Sequence, residues 1–264
     1  MTLVRLSAVG HSFGDLVALA GVDLVIERGE VVGLLGPNGA GKTTALRILC
    51  GLLEPDRGSV LVDGHDVGLA PLEARRALSF VPDGAPLYVN LSARQHLELV
   101  GRLRGIGERT IREEGDRLLG AFDLAERADD PVGEFSRGMR QKVAIACALL
   151  PRAPLLVLDE PLNGLDAPTT AVIKEVLRSW ARAGGAVLYT SHLLDVVERV
   201  CDRLVVLDRG RLVGAGTLEE LRARTGEGGT LEQVFRALTR GEDPSVQAAR
   251  LTASGPLPPG AGGR

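Results

Sequence analysis

No apolar run in the 264-residue chain is long enough to cross a bilayer. The best stretch, Val143 to Leu158, is broken by Pro151, Arg152 and Pro154, and each piece falls short of the roughly 20 residues a spanning helix needs. Met1 to Arg5 lack the charged-then-apolar layout of a secretion signal. Cysteine is scarce. Cys50, Cys147 and Cys201 each stand beside apolar residues, without zinc or redox spacing, so they read as buried packing residues of a cytoplasmic protein. A basic excess is missing too. At a formal net charge of -3 no global field gathers DNA or RNA, and no nucleic-acid partner is expected. No internal repeat is evident.

What remains is an ordinary globular composition, 45% hydrophobic and 25% charged, with room for one large α/β domain or two small ones. Short strands are expected at Leu3–Val9, Val22–Ile26, Val31–Leu35 and Ser59–Val62. A helix is expected from Thr43 to Leu49. From about Leu91 to Leu150 strand signals fade. Leu97, Leu99, Val100 and Leu103 mark one helix there, and Ile111, Leu118 and Leu119 another. Alternation returns with strands at Leu155–Leu158, Ala186–Thr190, Arg203–Leu207 and Leu212–Val213, and helices at Thr169–Arg182 and Leu193–Val200. Such alternation argues for a parallel sheet. The Pro/Gly-rich end, Gly255 to Arg264, is expected to be disordered.

The sharpest motif is Gly36-Pro37-Asn38-Gly39-Ala40-Gly41-Lys42-Thr43, a full match to the phosphate-binding pattern G-x-x-x-x-G-K-[ST]. Backbone N–H groups that wrap a phosphate need small or absent side chains around them. Lys42 adds a point charge for the β- and γ-phosphates, and Thr43 offers a hydroxyl to Mg²⁺. The helix that follows presents its positive end. A second motif, Leu155 to Glu160, runs four apolar residues into two carboxylates. Ligands gather beyond the carboxyl ends of parallel strands, so Asp159 suits Mg²⁺ and Glu160 an attacking water. His192 follows a similar strand, at the place where the γ-phosphate would lie. Ser136, in Phe135-Ser136-Arg137-Gly138-Met139-Arg140-Gln141, is an N-cap that with Gly138 forms a second anion-binding end. Taken alone, that segment reads more simply as a helix cap.

Together these pieces resemble the ATP-binding cassette (ABC) ATPases over about residues 2–240. The resemblance implies a P-loop NTPase fold. Its parts are a RecA-like parallel core, an N-terminal antiparallel β subdomain and a helical subdomain inserted at about 84–150, with 241–264 as a tail. Gly36 to Thr44 looks like Walker A, Leu155 to Glu160 like Walker B and Ser136 to Gln141 like the family signature. Gly164-Leu165-Asp166 looks like the D-loop and His192 like the switch histidine.

Phe13 matches the aromatic that stacks on adenine, usually Tyr. Asp83 replaces the usual Q-loop glutamine and would face Mg²⁺ or the water. Arg137 stands where glycine is usual, with Met139 and Arg140 ahead of Gln141. These last two departures, and Leu231-Glu232-Gln233-Val234-Phe235 after the core, resemble the exporter branch whose permease is a separate polypeptide.

The resemblance then implies a head-to-tail homodimer or heterodimer around two Mg·ATP, peripheral to the cytoplasmic face of the membrane. Ser136 and Gly138 of one subunit would touch ATP held by the other, and the permease would dock near Asp83 and Tyr88. The rival readings are a soluble non-transport ABC ATPase acting on ribosomes or DNA, and a soluble P-loop phosphotransferase.

Overall fold

The computed structural model describes residues 1–191, 194–226 and 228–239, with the backbone alone at Asp195. The sequence expectations for His192 and for the tail therefore lie outside the described residues. The chain opens with β1 (Thr2–Phe13), β2 (Leu16–Glu27), β3 (Val31–Leu35) and α1 (Lys42–Leu49). It continues through β4 (Arg57–Val62), β5 (His65–Asp66), α2 (Pro71–Arg76) and β6 (Leu78–Val81). The helices α3 (Ala93–Leu103), α4 (Glu108–Ala121) and α5 (Arg137–Leu149) follow. Then come β7 (Leu155–Asp159), α6 (Ala167–Arg182), β8 (Ala186–Thr190) and α7 (Leu194–Val200). The last elements are β9 (Arg203–Asp208), β10 (Arg211–Gly216), α8 (Leu218–Thr225) and α9 (Leu231–Thr239). The segment singled out at Leu231–Phe235 thus opens a helix.

Strands β2-β1-β4-β5 form one antiparallel sheet. Its first strand runs past the expected end at Val9, and the cause is local. Between Leu6 and Val9 the register slips by one residue. Ala8 takes φ 49 there and its N–H donates to Asp23 Oδ1 at 2.8 Å. A bulge of this kind breaks the period of two while the strand goes on, so alternation understates its length.

The second sheet has the order β10-β9-β3-β8-β7-β6. All neighbours pair in parallel except β10, which runs antiparallel to β9. Every residue of β3, β7 and β8 is buried, so these strands read as continuous apolar runs rather than alternating ones. Their side chains still divide by face. Val31, Leu35, Leu156 and Leu158 join a core shared with α3–α7. Val32, Leu34, Leu155 and Val157 join a core shared with α1 and the antiparallel sheet. Gly33 has a packing role, since a Cβ there would sit 2.9 Å from both Cys201 Sγ and Val197 Cγ1. Burial pushes the Cys50 and Cys147 thiols up to about 12 and the Cys201 thiol higher still, as packing cysteines require. Among the described residues no helix is long and apolar enough to cross a membrane.

Between β6 and β7 the chain is helical. In α4, Ile111, Leu118 and Leu119 are buried as expected. In α3 the buried face is Ala93, His96, Leu97 and Gly101, while Leu103 is exposed. The reason is close helix approach, because a Cβ at Gly101 would lie 2.5 Å from Ile111 Cγ1. Glycines let the helices close there, Gly101 onto Ile111 and Gly115 onto Leu97. Helix α3 starts at a full capping box. Gln95 N–H donates to Ser92 Oγ at 3.2 Å, and Ser92 N–H to Gln95 Oε1 at 2.9 Å. Ser92→Ala should lower stability by about 1 kcal/mol with an unchanged denaturant slope. An unfolding titration that leaves the midpoint in place would contradict the cap.

Candidate active site

The phosphate loop leaves the end of β3 and enters α1 with no side-chain cap, so the first-turn N–H groups of α1 have no side-chain acceptor. Gly39 and Gly41 take φ 78 and 104, which only glycine adopts freely. The loop is also hemmed in. A Cβ at Gly41 would stand 2.5 Å from Ala18 O, and one at Gly36 would stand 2.4 Å from Leu207 O. Gly210 N–H donates to Ala40 O at 3.0 Å, fastening the loop to the β9–β10 turn.

Across this loop, Lys42 Nζ donates to Gly36 O at 2.6 Å and to Pro37 O at 3.1 Å. The side chain is half-buried, and burial pulls its pKa below the ordinary lysine value. The Glu160 and Asp159 carboxylates oppose that shift, which places their field on the Lys42 ammonium.

Asp159 is the last residue of β7 and pairs in register with Thr190, the last of β8. Thr190 Oγ1 donates to the buried Asp159 Oδ1 at 2.6 Å and accepts from Glu160 N–H at 3.0 Å. One hydroxyl thus orients the first carboxylate and anchors the backbone of the second. Glu160 needs an anchor, because it takes φ 50, a left-handed conformation costly for a non-glycine residue. Thr190 was not among the expected site residues. The available signal was a hydroxyl closing an otherwise apolar buried strand. Val81 pairs with Leu158, so Asp83 leaves β6 beside the chain that leaves β7 at Glu160, and Asp83 is exposed.

Phe13 closes β1, is 50% exposed, and meets His11 edge-on at 4.6 Å between centroids. Its hairpin is the one whose Ala18 touches Gly41. Ser136 caps α5, where its Oγ accepts from Met139 N–H at 3.2 Å. Asp166 caps α6, where it accepts from Thr169 N–H at 2.8 Å, and those bonds hold its carboxyl below the usual aspartate range. Ser136 and Gly138 belong to the helical insertion rather than to the strand ends, and Gly138 lies against Gly164. Tyr88 is exposed. Its N–H donates to the buried His96 Nε2 at 3.0 Å, and His96 Nδ1 sits 2.8 Å from Ser92 O. His96, to which the sequence assigns no role, thereby orders the loop around Tyr88.

A glycine-rich loop that ends a buried parallel strand, faced by a lysine and by the acidic end of a neighbouring strand, defines a P-loop nucleotide-binding ATPase. The known proteins narrow the class. The profile described as "ABC transporter" matches residues 19–163. A daunorubicin resistance ATP-binding protein, DrrA3 of Streptomyces coeruleorubidus, is 40% identical over 89% of this chain and 74% of its own length. The Nod factor export ATP-binding protein I of Rhizobium sp. (strain N33) is 39% identical over 81% of this chain and 70% of its own. A solved ATP-binding subunit of an ABC transporter superposes at TM-score 0.85 with 34% identity, covering 90% of this chain and 99% of that one. The chain belongs to the ABC transporter family, as an ATP-binding subunit with ATPase activity.

Thr190→Val removes one bond to a buried carboxylate and one to the Glu160 backbone. Bonds to charged groups are worth about 1.5–3 kcal/mol, so ATP hydrolysis should fall by roughly 10–100-fold. A Thr190→Val protein that turns over ATP like wild type would remove Thr190 from the site.

Proposed function

We infer that two copies of this chain, or one copy and a paralogue, close head to tail around two ATP molecules and drive export through a separate membrane-spanning permease. The observation that carries this is the strand order: β8 pairs in parallel with both β3 and β7, so the phosphate loop after β3 and Asp159 at the end of β7 open on the same edge of the sheet. It joins the phosphate loop and the acidic strand end into one site. Export is supported by the relatives, named for drug resistance and Nod factor export. None of those names points to work on ribosomes or DNA.

In this reading the backbone from Gly36 to Gly41, with Asn38 at its tip, wraps the phosphates. Lys42 exchanges its two loop carbonyls for the β- and γ-oxygens, and Thr44 extends the helix end beneath them. Phe13 stacks on adenine through its exposed face. Glu160 takes a proton from the attacking water, and its left-handed backbone, held by Thr190, aims the carboxylate. His192, next after Ser191 in sequence, contacts the γ-phosphate. Ser136 and Gly138 supply the second copy's contact to that phosphate, with Asp166 fixing the adjoining turn. Hydrolysis removes the shared phosphate, so closure depends on ATP.

The donor set fits Mg²⁺. Among the described residues no three His, Cys, Asp or Glu side chains gather to hold a metal by themselves. An ion held by phosphates and one or two protein groups needs no such cluster. Thr43 and Asp159 would hold it, with Asp83 at the rim. When bound, the ion neutralises charge on the β- and γ-oxygens. The loop around Tyr88 and Asp83 is the surface offered to the permease, and docking there would place the protein at the cytoplasmic membrane face.

Glu160→Gln should lower hydrolysis about 10²–10⁴-fold, the worth of a positioned base, while ATP with Mg²⁺ still drives the protein to a dimer in light scattering. Hydrolysis within a few-fold of wild type would reassign the base, and a monomer under saturating ATP would sink the head-to-tail arrangement. Lys42→Ala should instead abolish dimerisation by weakening ATP binding itself, and unchanged affinity in a titration would contradict its role. Tagged protein from gently solubilised native membranes should carry a polytopic membrane protein at near-equal amount. Recovery with ribosomal or DNA-associated proteins alone would overturn the export reading.

A further inference from the structure

The first turn of α5 touches the turn that follows β7, through a residue that the reaction described above does not use. A Cβ at Gly138 would lie 2.6 Å from Gly164 O, so the two backbones are in direct contact. Gly164 takes φ 81. Where a side chain on Gly164 would begin, Arg137 lays its stem. Its Cδ is 3.2 Å, its Cγ 3.3 Å and its Nε 3.5 Å from that point. Among the described residues the Arg137 guanidinium makes no hydrogen bond or ion pair. Arg137 is exposed, and its contact with the turn is made by its stem rather than by a bond of its charged group.

The turn beneath it is held by buried Leu162 and by two backbone bonds. Asn163 N–H donates to Glu160 O and Leu165 N–H to Leu162 O, both at 3.2 Å. Gly164 follows Glu160 by only four positions, and Glu160 is itself strained at φ 50. A shift of the Gly164 turn therefore passes through Asn163 to the backbone of Glu160.

We propose that Arg137 is a positioning residue. Its stem clamps Gly164, and through that turn it ties the Ser136 end of the chain to the same chain's Glu160. The inference rests on the dimer reading above, in which the Ser136 end meets ATP held by the second copy while Glu160 serves the chain's own ATP. The clamp then joins the two ATP sites mechanically. A guanidinium that touched phosphate would be a different device. Packing needs methylenes and phosphate contact needs a cation, so substitutions separate the two.

The experiment is steady-state ATP hydrolysis by the full chain, across ATP concentrations, for wild type and for Arg137→Ala, Arg137→Met and Arg137→Lys, with a melting curve for each. Arg137→Ala should lower kcat about 10-fold, the scale of a sub-ångström misplacement of a reacting group. Its KM should hold, because the phosphate loop is untouched, and its Hill coefficient should fall towards 1 as the sites uncouple. Arg137→Met and Arg137→Lys keep a stem and should restore both kcat and cooperativity. If Arg137→Met fails while Arg137→Lys succeeds, charge rather than packing is what matters and the clamp is overturned. Wild-type kcat and cooperativity in Arg137→Ala overturn it as well. If Arg137→Ala melts early, the Met and Lys pair decides alone. A wild-type protein that neither hydrolyses ATP nor pairs under it overturns the dimer reading first, and this inference falls with it.

Discussion

A backbone can wrap an anion only where nothing else fills the wrapped space, and this constraint organises the molecule. The phosphate loop is pressed between Ala18 O of the antiparallel sheet and Leu207 O of the parallel one. Both neighbours are carbonyl oxygens, which repel a phosphate. A side chain at Gly36 or Gly41 would collide with those oxygens, so the loop keeps glycine there, and the open α1 helix end adds its own N–H groups. Lys42 donates to the carbonyls of Gly36 and Pro37. These bonds are internal substitutes, in a half-buried position that disfavours the charge. A triphosphate offers the ammonium negatively charged partners, whose attraction offsets the cost of burying its charge.

The parallel sheet sets the distances that this chemistry needs. Because β8 lies between β3 and β7, its last residue stands between the phosphate loop and the acidic pair. Thr190 uses that position by holding Asp159 and the Glu160 backbone at once. A serine would keep the hydroxyl, but the β-branched residue is stiffer about χ1 and suits the strand. The hydroxyl is held still by the same packing that buries the strand.

Much of this was legible from the residues. The phosphate loop and the acidic strand end announce themselves through chemistry at fixed spacing, and continuous apolar runs marked the buried strands β3, β7 and β8. Three features were not legible, each for a physical reason. The bulge at Ala8 hides the length of β1, since an inserted residue resets the alternation. The buried face of α3 is cut by Gly101, so apolar periodicity pointed at Leu103, which faces solvent. Thr190 and His96 act through partners far away in the chain or through the backbone, and no local motif records such pairings.

The site is divided between two parts of the fold. Lys42, Asp159 and Glu160 stand on strand ends and a helix start anchored in the buried sheet. Ser136 and Gly138 stand on the helical segment between β6 and β7, where α3 and α4 cross with Gly101 on Ile111 and Leu97 on Gly115. A ligand that touched only the first group would leave the insertion free to move. In the head-to-tail reading a ligand that touches both must bring the insertion of one copy to the sheet of the other, and the γ-phosphate is the part of ATP that hydrolysis removes. The energetic difference between the two nucleotide states therefore resides in the contact made by Ser136 and Gly138. In that reading closure depends on the one part of ATP that hydrolysis removes, while the sheet-anchored residues keep their hold on the rest of the nucleotide.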